Sequence, residues 1–207
     1  MHFTNQELAG LLIATSFAAG LNVYATVATL GLLSRASVIA LPSSLHLVES
    51  WWVIAICIAL FAIEFVADKI PAFDLVWNAL HTFVRVPVAA LLAYHASAQL
   101  PPHMQIVAAI AGGAVAFAAH GGKTAARAAV TPSPEPFSNS ALSLGEDVVA
   151  IGLTWFATKH PFIAAALVVI MILLIVVFVR FVIRSLKKLF RGAEQRLEPA
   201  LDFSHKK

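Results

Sequence analysis

Hydrophobic residues run through this chain in long stretches interrupted by single polar positions, rather than in the narrow stripe of a helix half exposed to water. The clearest stretch, 162–179, has eighteen consecutive residues without a polar side chain. A hydrocarbon core of roughly 30 Å takes about 20 helical residues, so this run nearly spans one alone. The same pattern predicts six membrane spans at roughly 8–33, 51–69, 75–95, 104–129, 143–158 and 161–183. Pro71, Pro101, Pro102, Pro132, Pro134, Pro136 and Pro161 fall at the joins, where a missing N–H does least harm. Thr4 and Glu7 have capping-box spacing ahead of the first span. The fifth span is short. Its apolar part, 148–157, suffices only if Glu146 and Asp147 also enter the membrane or the helix is broken.

Two pairs of short peptides repeat. Ser16-Phe17-Ala18-Ala19-Gly20 matches Ala116-Phe117-Ala118-Ala119-His120, and Ala67-Asp68-Lys69-Ile70-Pro71 matches Ala157-Thr158-Lys159-His160-Pro161. Three-helix units joined in series have opposite topology, so the matches raise an all-α fold of two inverted repeats, 8–95 and 104–183.

Composition strengthens the membrane reading. The chain is 60% hydrophobic and 12% charged, about half the charge of an average soluble domain. From Arg180 onward eight Lys/Arg oppose three acids, a net +5, so the preceding 179 residues carry −2. The basic character belongs to the tail and gives no reason to expect nucleic-acid binding. Cys57, the single cysteine, excludes an intrachain disulfide. The apolar start lacks a basic leader and is too long for a signal core, so it is expected to be a retained span. Residues 1–183 form the transmembrane domain and 184–207 a basic juxtamembrane tail. The positive-inside rule then puts both termini in the cytoplasm, at the cell inner (plasma) membrane. Lys69, Lys123 and Arg127 agree; Arg35 and Lys159 fall outside. Arg180, Arg184, Lys187, Lys188 and Arg191 share one helical stripe, read either as a surface for anionic inner-leaflet lipids or as a plain juxtamembrane stop. Besides the lipid bilayer, a homo-oligomer is a permitted partner.

The informative chemistry lies at Glu64, Asp68, Lys69, Asp74, His81 and Arg85. Charges inside a bilayer are costly and persist only with partners or a wet cavity. Asp74, Asn78, His81 and Arg85 are spaced by 4, 3 and 4 residues, one helical stripe that climbs ~15 Å into the membrane. His120, Lys123 and Arg127 form a second stripe in span four, and span five opens with Glu146 and Asp147. Four helices therefore bring their ionisable groups to the cytoplasmic half, with Arg85 expected to pair with Glu64 or Asp147. Asn22 and Thr26 interrupt span one near mid-membrane, as a polar lining, a local unwinding or an interhelical hydrogen bond. The HGGK peptide, His120 to Lys123, either opens the backbone toward an anion or lets helices pack closely. Trp51, Trp52, Trp77 and Trp155 are expected at the membrane interfaces.

Four motifs occur in one order: G-L-N-x-Y-x-T from Gly20, EFVADKIPxxDxxWNxxHTxxR from Glu64, GGxxAxxxHxxK from Gly112, and PxPFSN from Pro134 followed by Glu146-Asp147. In these the chain resembles the bacterial and chloroplast membrane proteins grouped as "domain of unknown function 4126". That resemblance implies a polytopic membrane protein and brings no activity, substrate or catalytic residue. A looser likeness to cation exchangers with E-x-G-D-[KR]-[TS] motifs fails at Glu64-Phe-Val-Ala-Asp68-Lys69, which has one residue too many and no Gly or Thr/Ser.

The expected function is a small transporter or channel-like permease for an ion or solute. Its candidates are Asn22, Glu64, Asp68, Lys69, Asp74, His81, Arg85, His120, Lys123, Arg127, Glu146 and Asp147, with no catalytic residue. No resident cofactor is expected, only proton or cation coupling; a metal, if any, would use Glu64, Asp68, His81 and His120. The alternatives are a membrane enzyme acting on lipid head groups, and a non-catalytic scaffold whose charges lock helices together.

Overall fold

The computed structural model describes residues 4–68, 71–130 and 136–202. Among them the elements are all helical: α1 (Asn5–Leu21), α2 (Val23–Arg35), a 3₁₀ helix (Ser43–Glu49), α3 (Trp51–Ala67), α4 (Pro71–Ala96), α5 (Pro102–Val130), α6 (Pro136–Lys159) and α7 (Pro161–Asp202). Three segments are long and apolar enough to cross a bilayer alone, within α5, α6 and α7. A fourth is added if the 3₁₀ helix and α3, bent by 57° at their junction, count as one. The outward faces of these helices carry exposed Ile, Leu, Val and Phe, including Ile110, Phe117, Leu174 and Val177. Such continuous apolar surface suits lipid and not water. The chain is a helical membrane protein. The fifth predicted span is unbroken, and Glu146 and Asp147 lie inside α6. α7 runs on beyond its membrane-length segment as one helix of 42 residues.

α1 is the central helix. Twelve of its seventeen residues are buried, on every side, and it packs against α4, α5, α6 and α7. Its small residues make this possible: a Cβ placed on Gly20 would lie 2.3 Å from the Ala116 carbonyl oxygen of α5. The start is fixed by Thr4 and Glu7, whose side chains each accept the other's backbone N–H, at 3.3 and 2.9 Å. The Thr4 backbone donor holds the Glu7 carboxyl below its usual range.

Asn22 ends α1. Its backbone is extended (φ −148°, ψ 103°), its N–H still donates to Ala18, and its Oδ1 accepts the Ala25 N–H at 2.9 Å, capping α2. Asparagine is a favoured N-cap because its short side chain satisfies one of the donors a new helix leaves free. The chain also turns back there. α1 runs parallel to α5, since Ser16 meets Gly112 and Gly20 meets Ala116. Its first turns lie beside Leu100 and Met104, beside Gln99, which donates to Asn5, and beside Pro161, whose carbonyl touches Gly10. α2 returns to the same end: Gly31 abuts Val48 and Ile54, and Ser44 of the following 3₁₀ helix donates to the His95 carbonyl.

The predicted span 8–33 is therefore a hairpin with its tip at Asn22, and six uninterrupted spans are not formed. A one-residue break is invisible to hydropathy because α1 and α2 are both apolar. The start of α1 also lies at the end of the bundle opposite the one toward which α7 runs, since Gly10 meets Pro161 and Gly122 meets Ile175. The matched peptides 16–20 and 116–120 lie side by side in the same direction, whereas inverted units would set them antiparallel. The HGGK peptide is no opened turn: α5 stays helical through it, and Gly122 admits Ile175 of α7.

Candidate functional site

α3 ends with Glu64 and Asp68 four residues apart on one face, both buried. Two carboxylates at a helix C-terminus oppose the helix dipole, so they need cations. Three arrive from neighbouring helices. Arg85 of α4 donates through Nη2 to Glu64 Oε1 in a pair fully closed to solvent. Lys123 of α5 places Nζ 3.3 Å from Glu64 Oε1, 3.6 Å from Asp68 Oδ2 and 3.2 Å from Glu146 Oε2 of α6. Arg127, one turn further along α5, donates through Nη2 to Asp68 Oδ2 at 2.7 Å and to Glu146 Oε2 at 2.8 Å. Ser143 of α6 donates to the same Asp68 oxygen at 2.9 Å.

The hairpin tip joins this network from both sides. Lys123 Nζ also donates to the Leu21 carbonyl, 3.3 Å away in the last turn of α1, where the helix dipole favours a cation. Asn22 Nδ2 donates to Asp147 Oδ1 at 2.9 Å. Asn22 and Thr26 are completely buried, and the Thr26 hydroxyl donates to the Asn22 carbonyl.

Hydrogen-bond chemistry assigns the histidine tautomers. Arginine has no acceptor, so the 3.0 Å contact of Arg85 Nη1 with His120 Nδ1 requires that nitrogen to be unprotonated. His120 is then the neutral Nε2–H form, donating to Thr82 Oγ1 at 2.7 Å. His81 donates from Nδ1 to the Trp77 carbonyl at 2.7 Å, leaving Nε2 to accept from Tyr24 OH at 2.9 Å. The Trp77 indole stacks on that imidazole with ring centroids 4.3 Å apart. Trp77 is thus a half-buried partner of His81, while Trp51, Trp52 and Trp155 are exposed.

Of the twelve candidates, Glu64, Asp68, Arg85, His120, Lys123, Arg127, Glu146, Asp147 and Asn22 come together in one network. His81 stands beside it with Tyr24. Lys69 lies outside the described residues, as does the side chain of Asp74. The conditional metal set is not assembled: Glu64 and Asp68 face cations and the two imidazoles face their own partners. Among the described residues no three His, Cys, Asp or Glu side chains are placed to hold a metal ion.

The candidate set left out Thr82, Ser143 and Tyr24, the last of which appears only as a motif position in span one. Ser143 precedes Glu146 and Asp147 by three and four residues, and Thr82 sits between His81 and Arg85. That spacing was the available signal.

No curated protein and no solved structure matches the chain. One protein-family profile does, over residues 9–181, and its description is "Domain of unknown function (DUF4126)". It takes in α1 through the membrane-length part of α7 and every residue of the network, so the chain belongs to the DUF4126 family.

Proposed function

We propose that the protein is a transporter or channel-like permease for a small ion or solute, here with its site closed. The observation that carries this reading is the helix break at Asn22, clasped on one side by Lys123 and on the other by Asp147. Discontinuous helices at membrane depth are tolerated where they are buried in protein or line a cavity, and transporters use their exposed ends to hold ions. A charge lock between intact helices would have no need of such a break.

In this reading α3 to α7 make five crossings of the inner (plasma) membrane, and the α1–α2 hairpin enters from the outer face. The basic stretch of α7 is cytoplasmic by the positive-inside rule, and its exposed Arg180 and Arg184 meet anionic lipid. The site then lies in the inner half of the bilayer. Glu64, Asp68 and Asp147 serve the coupling ion, Arg85, Lys123 and Arg127 balance the charge, and the imidazoles of His81 and His120 sit at its rim.

A scaffold is the competing reading, favoured by the full burial of the Glu64–Arg85 pair. Reconstitution decides between them. The full chain in proteoliposomes, with pH- and cation-sensitive dyes inside, should pass ions under an imposed gradient above empty liposomes. Asp147→Asn, which strands no cation, should abolish that flux while keeping helical content and a monodisperse particle. A folded wild-type protein without flux overturns proton or cation transport and favours the scaffold.

A further inference from the structure

Among the described residues the network holds one carboxylate more than it has cations. Glu64, Asp68, Glu146 and Asp147 face Arg85, Lys123 and Arg127, and both histidine rings have partners on both nitrogens. In the sequence Lys69 and Asp74 follow Asp68 and carry opposite signs, so counting both leaves the difference unchanged. The excess falls on Asp147. Among the described residues it has no cation within 4 Å, and its only hydrogen bond is the neutral amide of Asn22. It is 4% exposed, and its Oδ2 is buried without a partner. Glu64 Oε2 also lacks a hydrogen bond, but two cations meet that carboxylate through Oε1.

A buried carboxylate without a counter-charge is among the most costly groups a membrane protein can hold. Something must neutralise it. A metal cation would need a shell of several oxygens, and the nearby oxygens of Glu64, Asp68 and Glu146 already serve Arg85, Lys123 and Arg127. A proton needs no shell. The charged and titratable groups facing Asp147 are Glu64 and Asp68 from α3, Lys123 from α5 and its own neighbour Glu146, with Asn22 from the hairpin tip. α7 brings none between 162 and 179.

We propose that Asp147 is the proton-binding group of the cluster. Oδ2 takes one proton from water admitted when the site opens, forming the neutral acid and an uncharged network, while Asn22 keeps its bond to Oδ1. The delivery route rests on the transport reading above; the binding does not.

Infrared difference spectroscopy on the full chain in lipid tests it. Acidification should produce the C=O stretch of a buried carboxylic acid, downshifted in D₂O. Asp147→Asn should remove that band, Glu49→Gln, outside the cluster, should retain it, and Asp147→Glu should move it. A band that survives Asp147→Asn unchanged, or none across the pH range in which the protein stays folded, overturns the proposal. If Asp147→Asn does not fold, Asp147→Glu decides, since an unmoved band assigns the proton elsewhere. A protein that shows the band and no flux keeps the proton site and loses the transport reading.

Discussion

Arg85 of α4 and Glu64 of α3 form an ion pair from which water is excluded on both sides. Removing one member of such a pair strands the other charge, at a cost of about 3–5 kcal/mol, whereas replacing both with apolar groups of similar size is often close to neutral. Arg85→Met should therefore lower the thermal midpoint strongly in detergent or nanodiscs. Glu64→Leu/Arg85→Met should recover at least half of that loss. A double variant no more stable than the worse single variant refutes the pairing.

Gly20 and Gly121 both lie inside helices, yet only one has a neighbour in its way. A Cβ on Gly20 would strike the Ala116 backbone oxygen, which no rotamer change can move, while nothing lies within 4 Å of a Cβ on Gly121. Gly20→Ala should destabilise by roughly 1–3 kcal/mol, the range for overpacked sites. Gly121→Ala should be neutral or gain up to about 1 kcal/mol from helix propensity. Chemical or thermal unfolding of the two variants side by side gives the comparison.

Asn22 works through a donor as well as an acceptor. Asn22→Ala removes the α2 cap, worth ~1 kcal/mol, and the donor to Asp147. Asn22→Asp keeps a capping oxygen but sets a second carboxylate against Asp147 Oδ1, a like-charge contact that disfavours ionisation of both. The expected order of stability at neutral pH is wild type, then Ala, then Asp, with the Asp variant regaining stability as the pH falls and one carboxyl takes up a proton. The reverse order of the two variants would mean that Asn22 serves only as a cap.

The hairpin makes a topological prediction. In a Cys57→Ala background, single cysteines at Glu7 and Ser185 should react with a membrane-impermeant maleimide from opposite faces of oriented vesicles. Labelling of both from one face would restore an uninterrupted first span.

Much of the network was legible in the sequence because helical spacing alone aligns its members. Glu64 and Asp68 are one turn apart, His120, Lys123 and Arg127 are spaced by 3 and 4, and the energetic cost of lone charges in lipid demanded that the stripes meet. The direction of α1 was not legible. Hydropathy reports how apolar a stretch is and carries no sign, so seventeen residues down and thirteen back read as one long span. Asn22 was noticed as a polar interruption, but whether an asparagine bonds across to a neighbour or caps a new helix depends on partners 125 residues away. Trp77 was noticed only as a residue that suits an interface; that its ring lies against the His81 imidazole depends on packing that hydropathy does not report.

The central place of α1 sets an order of events during synthesis. It leaves the ribosome well before α5, α6 and α7, which cover most of it and begin only at residue 102. Until then Asn22 has no Asp147 to bond and the Leu21 carbonyl has no ammonium. A helix made before its neighbours is thus completed only after them, and a nascent chain halted after α4 would hold an unfinished hairpin waiting for its lining.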